Sequence, residues 1–201
     1  MMQKHFQTLE AQLRQNEFLY HQAHDVFGGS ARVFRHYDPS NEMSIDILTE
    51  QDTPQAGTLS CATLGMMHYP VGLREGGKPL RFELAGACKG PNENFPDLLS
   101  RCAIAVMGTK IRCFDGAVFP DIVRTYIPES RLPHLLFTEF SFWNERLEAV
   151  AFEPFNVRWL TAIFLSDKES DYCAQHGVVS LLSLFEEQKA DLSDPLRDSV
   201  L

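Results

Sequence analysis

Hydrophobic and polar positions alternate along this chain with two different rhythms. From Gln3 to Phe27, Phe6, Leu9, Leu13, Phe18 and Val26 recur at near-helical spacing among Gln, Glu and His, and Gly28-Gly29 ends the run. This predicts an N-terminal helix over about 3–27. Period-two runs follow at Ala31 to His36, Met43 to Leu48 and Thr58 to Met67, separated by turn sequences such as Asp38-Pro39-Ser40-Asn41. Leu80 to Gly86 alternates just after Gly76-Gly77-Lys78-Pro79 and reads as the return strand of a hairpin. Phe95 to Met107 changes to helical period, with Leu98, Leu99, Cys102, Ala103 and Val106 on one side and Pro96 in the first turn.

After Gly116 a loop is expected, leading to strands at His134–Phe140 and Val157–Leu165. Ser166-Asp167-Lys168-Glu169 spells a capping box, which opens a helix that Gly177 closes. Val178 to Lys189 predicts a further short helix, and Ala190 to Leu201 a polar, acidic tail. Strands cluster in hairpins instead of alternating with helices. The expected class is therefore α+β, a mainly antiparallel mixed sheet flanked by helices, in one domain over 1–201 with its core at about 30–189.

Two hundred and one residues suffice for one sizeable core, burying roughly 70% of the unfolded surface without metal or disulfide support. The five cysteines (Cys61, Cys88, Cys102, Cys113 and Cys173) are odd in number and lack any C-x-x-C, so reduced thiols in a cytoplasm are expected. No signal-peptide pattern opens the sequence, and no apolar run is long enough to span a bilayer. With 18 basic and 27 acidic residues the net charge is −9, which argues against direct nucleic-acid or membrane binding. It favours a basic protein partner, chiefly through association rate.

Motifs that carry chemistry are few. His21 and His24 lie three residues apart on the first helix and could share a metal, yet the H-E-x-x-H pattern of a zinc protease is absent. Cys173 and His176 share that spacing and could form a nucleophile–base pair, but no third orienting group is visible. These pairs sustain the alternative of a small metal-dependent or Cys/His hydrolase. Cys61 and Cys102 sit in apolar runs and read as small core residues. Gly86-Ala87-Cys88-Lys89-Gly90 reads as a hairpin turn, not a phosphate loop, and Asp167, Glu169 and Asp171 as a solvated helix start.

Several segments, in order along nearly the whole chain, resemble the suppressor of fused family. They include Thr63-Leu64-Gly65-Met66-Met67-His68-Tyr69-Pro70, Arg81-Phe82-Glu83-Leu84, Phe95 to Arg101, Leu132 to Glu139, Val157 to Ile163, Leu165 to Glu169, and Asp191-Leu192-Ser193-Asp194 with Arg197. The resemblance implies the α+β fold of the animal protein's N-terminal domain, no catalytic residues, no cofactor and no metal. It also implies a role in binding another protein. Bacterial single-domain relatives are understood as immunity proteins that neutralise a toxin, often a nuclease. A regulatory interaction domain with a non-toxin partner is the other reading within the family.

In the animal protein a bound peptide lies near the strand end that matches Gly65 to Tyr69. The resemblance thereby nominates Met66, Met67, His68 and Tyr69 as partner-binding residues, with strand-end core packing as the competing role for the methionines. His134, in a Pro-His strand start shared with the family, is expected to bond within the sheet. Trp159 and Phe164 are expected in the core.

Overall fold

In the computed structural model, residues 2–90, 92–108 and 111–201 are described, with side chains described from residue 9 onward, so the expected role of Phe6 lies outside the described residues. The N-terminal run forms one helix, α1 (Met2–Phe27). Strands β1 (Arg32–Tyr37), β2 (Ser44–Gln51) and β3 (Thr58–Leu64) follow as an antiparallel meander. The hairpin β4 (Leu73–Glu75) and β5 (Lys78–Lys89) comes next, then α2 (Phe95–Met107). The remainder comprises β6 (Ala117–Phe119), β7 (His134–Thr138), β8 (Val150–Ala151), β9 (Asn156–Leu165), α3 (Asp167–His176) and α4 (Val178–Gln188).

Among the described residues, nine strands join one sheet in the order β1-β2-β3-β5-β9-β7-β6, with β4 and β8 attached to β5 and β9. All pairings are antiparallel except β5 with β9, whose register runs from Leu80↔Asn156 to Gly86↔Ala162. The α+β expectation, a mainly antiparallel mixed sheet flanked by helices, holds.

Strand β9 shows how the layers arise. Successive side chains of a strand point to opposite faces. Its even positions Leu160, Ala162 and Phe164 join the core beneath α2, with Phe82, Leu84, Phe95, Leu99 and Phe137. Its odd positions serve the other face. Val157 and Trp159 pack in the cluster of Leu19, Ala23 and Phe27 from α1, whereas Ile163 and Leu165 pack with Leu181 and Phe185 from α4. Thr161 lies between the two groups and donates a 2.6 Å hydrogen bond to the Phe140 carbonyl. One face of the sheet thus carries α2, and the other carries two separate helical layers side by side.

Four local expectations are corrected. The run Gly86 to Gly90 is not a turn: β5 continues to Lys89 and only Gly90, at φ 77°, ends it. Gly86 is in the strand because Phe95 packs on it, where an added Cβ would come within 2.7 Å of the ring. The strand from Thr58 stops at Leu64, because Gly65 adopts φ 110° and turns the chain into a 3-10 turn over Met66–His68. The stretch after Gly116, expected as loop, contributes the edge strand β6.

The fourth concerns Glu169 and the tail. The capping box forms as expected: the Glu169 N–H donates to Ser166 Oγ at 3.1 Å and the Ser166 N–H to Glu169 Oε2 at 2.9 Å. Asp167 and Asp171 are exposed as expected of a solvated start, but Glu169 is fully buried. Arg197, from the tail, reaches it with both terminal nitrogens at 2.7 and 2.9 Å. The same guanidinium donates to the carbonyls of Phe164 and Asp198 and lies 4.9 Å from the Phe185 ring centroid. Burial pushes the Glu169 carboxyl up, but Arg197 and the N–H groups of Ser166 and Val200 outweigh it and hold the carboxyl below its ordinary value. The tail is therefore packed structure, with Leu192 and Ser193 also buried.

Removing one partner of a buried ion pair strands the other. Arg197→Ala is expected to cost about 3–5 kcal/mol in urea unfolding, and an Arg197→Met, Glu169→Met double substitution to recover part of that loss.

Candidate partner-binding surface

The nominated segment sits where β3 ends. Thr63 and Glu83 are paired by side chain across the sheet, the Thr63 hydroxyl donating to the Glu83 carboxylate. The other carboxylate oxygen accepts from the N–H groups of Gly65 at 2.8 Å and Met67 at 3.0 Å. Glu83 therefore closes the 3-10 turn from below. Burial raises its carboxyl to about 7, against the opposing pull of those hydrogen bonds.

Of the four residues nominated for contact, Met66 and Met67 are 1% and 0% exposed and lie in the cores on opposite faces of the sheet. Their side chains set the position of the turn and offer no outward surface. His68 is half-buried, its Nε2 2.8 Å from Asn16 Oδ1 of α1, and burial lowers its pKa. Tyr69 is exposed. Both border a polar cavity of about 310 Å³ that also meets Gln12, Asn16 and the Arg35–Asp46 ion pair. This corner can offer hydrogen bonds and an aromatic face to a partner.

The other candidates are scattered. His21 is exposed and its ring lies 5.3 Å from that of Tyr20, while His24 faces Asp25 at 3.5 Å. Among the described residues, no group of three His, Cys, Asp or Glu side chains is placed to hold a metal. Cys173 is buried, which raises its thiol pKa, and the His176 ring lies tilted at 39° against that of Tyr172, with centroids 4.4 Å apart. The remaining cysteines are buried core residues, as read for Cys61 and Cys102. Trp159 and Phe164 are core residues too.

His134 differs from expectation: its partners lie outside the sheet. Nδ1 accepts from the Asp121 N–H at 3.0 Å, and Nε2 faces Asp167 Oδ1 at 3.1 Å. It ties a loop to the start of α3. Glu139 pairs with Arg158, and Asp115 accepts from the Thr138 hydroxyl and the Glu139 N–H.

The mainly antiparallel mixed sheet with helices on both faces is an α+β architecture. The sequence profile described as Suppressor of fused protein (SUFU) matches residues 41–198, and the chain belongs to that family. It is 32% identical over 176 residues to Immunity protein YqcF of Bacillus subtilis (strain 168), covering 88% of this chain and 92% of that protein. A suppressor of fused homologue from Neisseria gonorrhoeae FA 1090 superposes with a TM-score of 0.68 at 14% identity, covering 94% of this chain and 98% of the other. A chain of the Sufu–Fu complex superposes with a TM-score of 0.65 at 12% identity, covering 92% of each. Both structures are alike in fold.

Sequence reasoning passed over Glu83 as a functional support, although an acidic residue inside the apolar alternation of Leu80 to Gly86 was the available signal. Because its carboxyl titrates higher in the folded protein than in the unfolded chain, the folded state holds more protons between the two values. Stability should thus fall as pH rises from about 4.5 to about 7. Glu83→Gln keeps an acceptor for the turn and should abolish that component, visible as the wild-type-minus-variant difference in unfolding free energy across the same pH window.

Proposed function

We propose that this protein is an immunity-type binding domain, which neutralises a toxin by occupying its surface and performs no chemistry of its own. The carrying observation is the 32% identity to Immunity protein YqcF, which extends across nearly the full length of both chains. A net charge of −9 supports a basic toxin, since complementary fields accelerate encounter and orient it. A nuclease fits that description, because its own substrate demands a basic surface. Protection of this kind operates in the cytoplasm, in keeping with five reduced thiols. No helix among the described residues is long and apolar enough to cross a membrane. Within the segment Met66, Met67, His68 and Tyr69, the last two supply contact and the methionines fix where they stand.

The test uses the tagged chain as bait in its own host, with the captured protein then expressed alone and together with the chain. Growth arrest by the captured protein, relieved on co-expression, is the expected result. Inhibition should be stoichiometric, and Tyr69→Ala should weaken the complex about tenfold, equivalent to about 1.4 kcal/mol. A captured protein that is harmless, or whose toxicity the chain leaves unchanged, overturns the proposal.

A further inference from the structure

The two helical layers on one face of the sheet leave a seam between them. Along it runs a solvent-open groove of about 1100 Å³ between the end of α1, the 140–145 loop and α4. Its wall on the α1 side is firmly built. Trp143 stacks on Phe27 with centroids 4.6 Å apart and donates through Nε1 to Ser60 Oγ at 2.8 Å, and that hydroxyl donates on to the Thr53 carbonyl at 2.6 Å.

The opposite wall is one stripe of α4. Val179, Leu182 and Glu186 follow each other at spacings of three and four and all line the groove, while Leu181 and Phe185 anchor the helix in the core. Val179 is 79% exposed, the most exposed of the large apolar side chains among the described residues. Phe142, from the loop, is half-buried on the same seam.

The charged lining is uneven. Asp25, Glu145, Glu186 and Asp191 are acidic and Lys189 is basic. Asp191 is already paired with Lys89 at 2.8 Å, but among the described residues no Lys or Arg pairs with Asp25, Glu145 or Glu186. Small-molecule sites are enclosed, mostly apolar and roughly 300–1,000 Å³. This groove is open and acid-rimmed around an apolar strip, which suits a protein segment carrying Lys or Arg beside an apolar anchor.

We infer that the groove between α1 and α4 is a docking site for a basic, apolar-anchored segment of a partner protein. This deepens the toxin-binding reading and rests on it for the partner's identity. It adds a second contact surface on the seam, separate from the His68–Tyr69 corner.

The probe is a soluble octapeptide in which Lys residues alternate with Leu and Ser, titrated against the full chain and followed by amide NMR shifts. Shifts should concentrate at Phe142, Trp143, Val179 and Leu182, and affinity should fall steeply between about 0.05 and about 0.3 M salt. Glu145→Lys with Glu186→Lys should weaken binding at least about tenfold, as should Val179→Arg. The control pair Glu42→Lys with Glu129→Lys makes the same change in net charge at exposed sites outside the groove and should leave affinity within about twofold.

Equal losses in groove and control pairs, shifts mapping elsewhere, no saturable binding, or self-association of the chain through this face each overturn the inference. All substituted positions are exposed, so folding is checked by unchanged thermal midpoints. Should the capture experiment yield no toxin while the peptide still titrates into the groove, the toxin reading fails and the groove assignment stands.

Discussion

The parallel pairing of β5 with β9 is the constraint on which the rest of the structure depends. Strands paired this way cannot be joined by a tight turn, and a sheet built around them is normally covered on both faces. Between the two strands the chain must therefore carry a long crossover, which here contains α2, β6, β7 and β8. Each strand must also place apolar residues at odd and even positions alike. β9 does so over its buried length, interrupted by Thr161. Its odd side chains are shared between α1 and the α3–α4 pair. The seam follows from that division.

Two buried carboxylates show how environment, not residue type, decides what an acid does. Glu169 has a bidentate guanidinium and backbone N–H donors, so its charge is retained and fastens the tail across α3 and β9. Glu83 has only a hydroxyl and backbone N–H groups, so burial wins and its carboxyl moves upward. Both orient loops by satisfying N–H groups that would otherwise be buried without partners. Titratable groups employed in this way are spent on architecture.

Much of this was legible in the sequence because it depends on near neighbours. Periodicity marked α1, α2 and the meander, and Ser166-Asp167-Lys168-Glu169 announced its own cap. What escaped was set by distance along the chain. Arg197 stands 28 residues from Glu169, so local reading left one as tail and the other as solvated helix start. Gly86 looked like turn punctuation because its reason, the Phe95 ring, belongs to the next helix. The paired methionines at 66 and 67 were ambiguous for a different cause: Met suits core and contact equally, and the 3-10 turn after Gly65 places one in the core on each face of the sheet.

The groove was the least legible feature because no residue in it is unusual. Asp25 and Glu186 are unremarkable surface acids on helices far apart in the sequence, and Val179 is one apolar residue in an amphipathic helix. They acquire meaning only when the sheet brings the end of α1 beside α4. Under the proposed docking role, this seam between rigid layers would present both a shape and an acidic field to a partner segment. Its walls are held by Phe27, Trp143, Leu181 and Phe185, all at most 6% exposed, so binding there need not first order the backbone. Preorganisation of this kind would favour slow dissociation of a docked segment, as the proposed toxin-neutralising role requires.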